Sequence, residues 1–321
     1  ARPWRALTAV AASVAVVAAA SGGWWLALPR TEARTPVAST APALPTDEVA
    51  TEAPLTVRPQ GWQLGTQWPN LPESCDGPWA PSSSFRNVTC QQLLPGDDTA
   101  SETIVVLGSS HSRQYVPALI PLAQERGDQI VNLSMDGCEF LIREDDSGYC
   151  GGYDPYALSY LDQVEPDTVL MTATLTSPDT SEEVMPVGTE EAVGELLDRG
   201  IDVIATRDTP RWQEDPFECA EAVIGDDGTP VEADEACGAD LEDKHAVENP
   251  AAPLADLTPA DDSVDAQVTV VDLSAQICPD DRCPPVLGDT YVYMDDNHLT
   301  RLFVEQTLTA PMTRELEAAG F

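Results

Sequence analysis

The sequence predicts an α/β fold: a three-layer α/β/α sandwich with helices on both faces of a parallel sheet. Three observations carry this. Short runs of aliphatic and β-branched residues recur between stretches with helical spacing. The runs are separated by helices, which implies a sheet covered on both faces. Strand and helix follow each other in turn, the order that closes into a parallel sheet.

Residues 1–5 precede an apolar run. Ala6 to Leu28 spans 23 residues without a charged side chain, enough for one transmembrane helix, with Trp24 and Trp25 near one end as interfacial aromatics are. Arg2 and Arg5 before it, and Arg30 and Arg34 after it, leave its orientation open. A cleaved signal peptide is the rival, but the run is long for one and the chain opens with Ala1. The expectation is the last membrane span of a longer protein. Residues 29–59, rich in Ala, Pro, Thr and Glu, read as a linker. Residues 60–100 hold Trp62, Trp68, Trp79 and many prolines, and read as a loop-rich lead-in packed on the domain. Their tryptophans are expected in core or docking contacts rather than as a sugar-stacking platform.

The domain proper is placed at 101–321. Thr103–Leu107 is the first strand, followed by the small-residue turn Gly108-Ser109-Ser110-His111-Ser112 and a helix from Arg113 to Arg126. Gln129–Met135 is the second strand, ending in Asp136-Gly137-Cys138, and Tyr156–Val164 a helix. Asp167–Thr174 is the third strand; Glu190–Arg199 is a helix stopped by Gly200. Ile201–Thr206 is the fourth, leading to Arg207-Asp208-Thr209-Pro210, and Val268–Leu273 the fifth. Between these last two, about 212–266 is an acidic insertion rich in Pro and Asp. Leu299–Ala319 closes the chain as a helix.

A formal charge of −39, from 55 acidic against 16 basic residues, argues against nucleic acid as a partner. The eight cysteines fall in local pairs: Cys75/Cys90, Cys138/Cys150, Cys219/Cys237 and Cys278/Cys283. They lack zinc-array spacing, so disulfides in an oxidising compartment are the better reading. No metal and no cofactor is implied.

A serine at a strand-to-helix turn has an exposed oxygen and an N–H at a helix start, so Ser110 is the candidate nucleophile. Capping of the helix is the plainer role for a serine there. Serine needs a base, and only three histidines exist. His111 follows Ser110 directly and leaves the backbone in another direction. His245 lies in Asp243-Lys244-His245 and reads as a solvated surface residue. His298 has Asp295 three residues earlier, a spacing that sets a carboxylate beside an imidazole. Asp296 is the alternative partner, and Asp296 or Asn297 also reads as a cap for a helix beginning at His298 or Leu299. Ser110, Gly137, Thr172 or Thr174, Arg207 and Asp295 all fall at the carboxyl ends of strands, where open parallel sheets bind ligands.

These residues resemble the SGNH hydrolase superfamily, and more closely the extracytoplasmic SGNH domain fused behind the membrane acyltransferase-three family. Gly108-Ser109-Ser110-His111-Ser112 resembles its Gly-Asp-Ser-His block, with Ser109 in place of the aspartate. Arg207-Asp208-Thr209-Pro210 with Pro216-Phe217-Glu218-Cys219 resembles an Arg-Asp-x-Pro…Pro-x-x-Cys block. Cys278-Pro279 with Cys283-Pro284, then Asp295-Asp296-Asn297-His298-Leu299-Thr300, resembles the closing Cys-Pro…Cys-Pro and Asp-x-x-His-Leu-Thr block. The resemblance implies Ser110 as nucleophile, His298 as base and Asp295 as its partner. It implies an oxyanion hole of Ser110, Gly137 and, for an asparagine that has no equivalent here, Thr172 or Thr174. Arg207 and Asp208 are expected to bind substrate. It further implies an acyl-donating membrane acyltransferase domain as partner and a cell-envelope glycan or glycolipid as acceptor, outside the cell membrane. A carbohydrate or lipid esterase, or an inactive glycan-binding domain, is the alternative.

Overall fold

The computed structural model describes residues 56–93, 100–143 and 147–321. The expected span at 6–28 and most of the linker lie outside these. Among the described residues no helix is long and apolar enough to cross a membrane.

The described residues form one compact unit around a seven-stranded sheet. Its strands are β1 (Glu73–Ser74), β2 (Val88–Leu93), β3 (Thr103–Gly108), β4 (Gln129–Met135), β5 (Thr168–Thr172), β6 (Asp202–Thr206) and β7 (Val268–Val271). They lie in the order β1-β2-β4-β3-β5-β6-β7. From β4 to β7 every pairing is parallel, as the apolar runs predict. The other edge comes from the loop-rich lead-in. β2 pairs antiparallel with β4, Cys90 opposite Leu133, and β1 pairs antiparallel with β2.

Period-2 alternation sorts the core into two layers. Ile104, Val106, Ile130, Leu170 and Ile204 face Tyr115, Leu119, Phe303, Leu308 and Met312. Val105, Leu107, Val131, Leu133, Val169 and Val203 face Phe140, Tyr153, Leu161, Val193 and Leu196.

The helix expected from Arg113 to Arg126 begins three residues later, at Val116. A short turn α1 (Ser110–Arg113) precedes α2 (Val116–Arg126), whose Pro117 suits a helix start. α3 (Tyr153–Val164) and α4 (Thr189–Leu197) cover the second face. The acidic insertion carries α5 (Pro216–Gly225) and α6 (Pro230–Cys237), joined by the Cys219–Cys237 disulfide. Their Phe217, Ala220 and Ala233 make a small core with Val57, Val286 and Tyr291. The closing helix starts at Arg301, capped by Thr300 rather than by Asp296 or Asn297, and passes through a π-turn into α7 (Thr309–Ala319).

The other three local cysteine pairs are likewise joined, as Cys75–Cys90, Cys138–Cys150 and Cys278–Cys283. At the last of them the structure adds a strand that the sequence pattern does not announce. Arg282–Cys283 pairs antiparallel with Ala239–Asp240 and so ties the middle of the acidic insertion to the closing block. Two residues are too few to show any periodicity. Cys283 is fully buried in the first layer of the core, so it is a packing and cross-linking residue and not part of a reactive site.

Candidate active site

The site lies at the carboxyl ends of β3, β4 and β6. β3 ends in Gly108 at φ +102, where a Cβ would come within 2.9 Å of Ser112 Oγ, so glycine is required. The buried Tyr153 hydroxyl accepts the Gly108 N–H at 2.8 Å and lies 2.9 Å from the Leu133 carbonyl, tying the ends of β3 and β4 together. Ser109 caps the next turn by accepting the His111 N–H. Ser110 then opens α1, and the N–H at that position has no intrahelical acceptor.

His298 Nε2 lies 2.8 Å from Ser110 Oγ although 188 residues separate them. On its other side, His298 Nδ1 lies 2.9 and 3.0 Å from the two oxygens of Asp295. A carboxylate only accepts, so Nδ1 carries the proton and Nε2 presents its lone pair to the serine. Asp295 Oδ1 also accepts the N–H groups of Asn297 and His298, at 3.0 and 2.7 Å. Burial alone would raise this carboxyl. The hydrogen bond and charge of His298 and those two N–H groups outweigh it and hold Asp295 below the usual range. Asp296 instead offers its carbonyl to the Trp212 N–H.

Trp68, from the lead-in, sets its ring edge-on to His298 at 4.9 Å. Arg113 lies over the same indole at 5.2 Å and pairs with Asp136 at 3.0 Å. Gly137 turns the chain after β4 at φ +75, with open space where a Cβ would stand.

Several expected roles change place. The Thr174 hydroxyl donates to Glu183 at 2.7 Å and accepts the Asp208 N–H, so it is engaged in the interior. Thr172 is bonded to Ser112 and Thr206. Arg207 and Asp208, expected to meet substrate, are turned inward. Arg207 forks onto Glu183, with Asp272 and the Ala246 carbonyl taking its other donors. Asp208 accepts from His111 Nδ1 at 2.6 Å, from Thr176, from the Thr209 N–H and from Arg211. Burial would raise Asp208, but the charge and hydrogen bond of His111, then Arg211 and Thr176, hold it far below the usual carboxylate range.

The other two histidines are both buried, and one of them departs from the sequence reading. His111 is buried against Asp208, with its ring 4.9 Å from that of His298. His245 is buried rather than solvated, its Nδ1 3.2 Å from Ser274 Oγ, and burial lowers its pKa from 6.5. Gln114, which no motif singles out, accepts the Leu299 N–H at 3.1 Å and reaches Thr209 at 3.4 Å.

Among the described residues no group of His, Cys, Asp and Glu is placed to hold a metal. A mostly parallel α/β sheet thus gathers Ser110, His298 and Asp295 at its carboxyl edge. The family described as SGNH domain (fused to AT3 domains) matches residues 74–307, and the chain belongs to it. No curated protein matches the chain. Among solved structures it is similar to the periplasmic domain of a Salmonella ser. Paratyphi A lipopolysaccharide acetyltransferase. That match has 12% identity and a TM-score of 0.47, over 69% of this chain and 85% of that one.

Proposed function

We propose that this domain carries an acyl group on Ser110 and passes it to a hydroxyl of a cell-envelope glycan or glycolipid. The acyl group is acetyl, and an AT3-type membrane domain delivers it outside the cell membrane. The observation that carries the reading is the 2.8 Å contact of His298 Nε2 with Ser110 Oγ, in the tautomer that Asp295 fixes. The four disulfides suit the oxidising compartment this requires.

Ser110 Oγ attacks the acyl carbonyl and its proton moves to His298 Nε2. The oxyanion is received by the N–H groups of Ser110 and Gly137, since Thr172 and Thr174 are engaged elsewhere. Collapse expels the donor's leaving group, which takes the proton from His298, and leaves an ester on Ser110. The acceptor hydroxyl then attacks that ester. Its proton passes to His298, and the tetrahedral intermediate returns Ser110 with the same proton. Asp295 stays ionised and steadies the imidazolium in both halves.

The test is covalent labelling of Ser110 by an activated acetyl ester, read by mass spectrometry of the intact chain. The chain gains one acetyl group and Ser110→Ala gains none. Equal labelling of Ser110→Ala would overturn the reading.

A further inference from the structure

The turn that carries Ser110 and the loop that carries His298 are fastened to a common post, the loop 207–212 after β6. On the His298 side, Thr209 Oγ1 donates to the Asn297 carbonyl at 3.2 Å, and the Trp212 N–H to that of Asp296 at 2.8 Å. On the Ser110 side, His111 Nδ1 reaches Asp208 at 2.6 Å across 97 residues of sequence. The Asp208 side chain is fully buried and held from four further donor atoms on Thr176, Thr209 and Arg211, so it is a rigid anchor. The His111 ring also stands 4.9 Å from that of His298, tilted at 42°, on an imidazole already bounded by Asp295 and by the edge of Trp68.

We infer that His111 is a positioning residue for the reaction proposed above, and that its hydrogen bond to Asp208 sets the register of Ser110 against His298. Side chains at adjacent helical positions leave the axis about 100° apart. Ser110 therefore faces the substrate while His111 reaches inward to the post, and rotating the turn moves both. A displacement of about 1 Å at a reacting group costs on the order of 10²-fold in rate. The effect is expected on rate rather than affinity, because His111 Nδ1 is committed to Asp208.

The experiment compares wild type, His111→Ala, His111→Asn and His111→Phe in the full chain, with Ser110→Ala as blank. The readout is the pre-steady-state burst of 4-nitrophenol from 4-nitrophenyl acetate, taken over a range of ester concentrations. Asn places an amide N–H where Nδ1–H stood, whereas Phe keeps a ring and loses the donor. His111→Ala and His111→Phe should lose about 10- to 100-fold in maximal acylation rate with the half-saturating ester concentration within about twofold. His111→Asn should recover to within about fivefold of wild type. A wild-type rate in His111→Phe or His111→Ala would overturn the inference. So would equal losses in all three folded variants, the mark of a merely structural role. If His111→Ala fails to fold, the other two, closer in volume, decide. A wild-type chain with no burst above Ser110→Ala would instead overturn the reaction itself.

Discussion

Replacing Asp295 by Asn tests the proposed chemistry at its most sensitive point. Asn keeps the size of the side chain and one oxygen for the N–H groups of Asn297 and His298, which Asp295 Oδ1 now accepts at 3.0 and 2.7 Å. That leaves the amide NH₂ facing His298 Nδ1, where the carboxylate oxygens stand at 2.9 and 3.0 Å. Two donors cannot bond, so Nδ1 gives up its proton and the imidazole adopts the other tautomer. Nε2 then points an N–H at Ser110 Oγ, 2.8 Å away, and can no longer take its proton. The expected loss is about 10⁴-fold in acylation rate, or about 5 kcal/mol of transition-state stabilisation. Stability should hardly follow. One charge-assisted hydrogen bond on a third-exposed side chain contributes about 1 kcal/mol or less, and Tm falls by only about 2–4 °C. Stopped-flow measurement of the 4-nitrophenol burst, beside a thermal melt, separates the two. A burst rate in Asp295→Asn within about tenfold of wild type would refute the assignment of Asp295 as the orienting carboxylate.

Further outcomes follow from the buried charges and cross-links. Glu183→Gln removes the fully buried partner of Arg207 and should cost about 3–5 kcal/mol, a Tm drop of roughly 6–20 °C by calorimetry. Burial lowers the folded-state pKa of His245 below 6.5, so the unfolded chain binds the extra proton. Its contribution is therefore fully present above about pH 6.5 and is lost as pH falls towards the folded value. Melts from pH 8 to 5 should show Tm falling, and falling less steeply in His245→Gln. Cys138→Ser with Cys150→Ser opens a loop of 12 residues next to Gly137. It should cost about 2–3 kcal/mol by denaturant titration and slow the acylation burst together.

The fold is legible in the sequence where burial on both faces leaves a mark. β3, β4, β5 and β6 are short apolar runs closed by Gly, Asp or Thr, and their order in the chain implies the parallel sheet. β2 is not legible because Val-Thr-Cys-Gln-Gln-Leu lies towards an antiparallel edge, mostly half-buried, and so carries no continuous apolar run. Cys283 shows the same limit at smaller scale: its pairing with Cys278 is local and readable, but its strand partner Ala239 is not. Within the site, the Asp295–His298 spacing is local and can be read. The partner of Arg207 cannot, since Glu183 comes from a two-residue strand that pairs with Leu175–Thr176 and has no periodicity of its own. His245 misleads for a related reason. Its neighbours Asp243 and Lys244 suggest solvent, whereas the ring is covered by Ser274 from beyond the end of β7.

His111 and Asp208 show where local reasoning stops. That a residue next to the nucleophile points elsewhere is correct, but its destination depends on the lateral order β3-β5-β6, which no spacing reveals. The adjacent pair Arg207-Asp208 divides its work for the same geometric reason. Neighbouring side chains in extended backbone point to opposite sides. Arg207 pins the far side of the loop to Glu183, Asp272 and Ala246, while Asp208 pins the near side to His111. Each half of the site is hung on this loop, so its position is a shared coordinate for Ser110 and His298. Loosening it from the Arg207 side should then act at a distance. Glu183→Gln, which touches neither Ser110 nor His298, is expected to slow the 4-nitrophenol burst as well as lower Tm. In a double-mutant cycle it should couple with His111→Phe, the two losses together being smaller than their separate logarithms summed. Strict additivity would mean that the loop is not the common post.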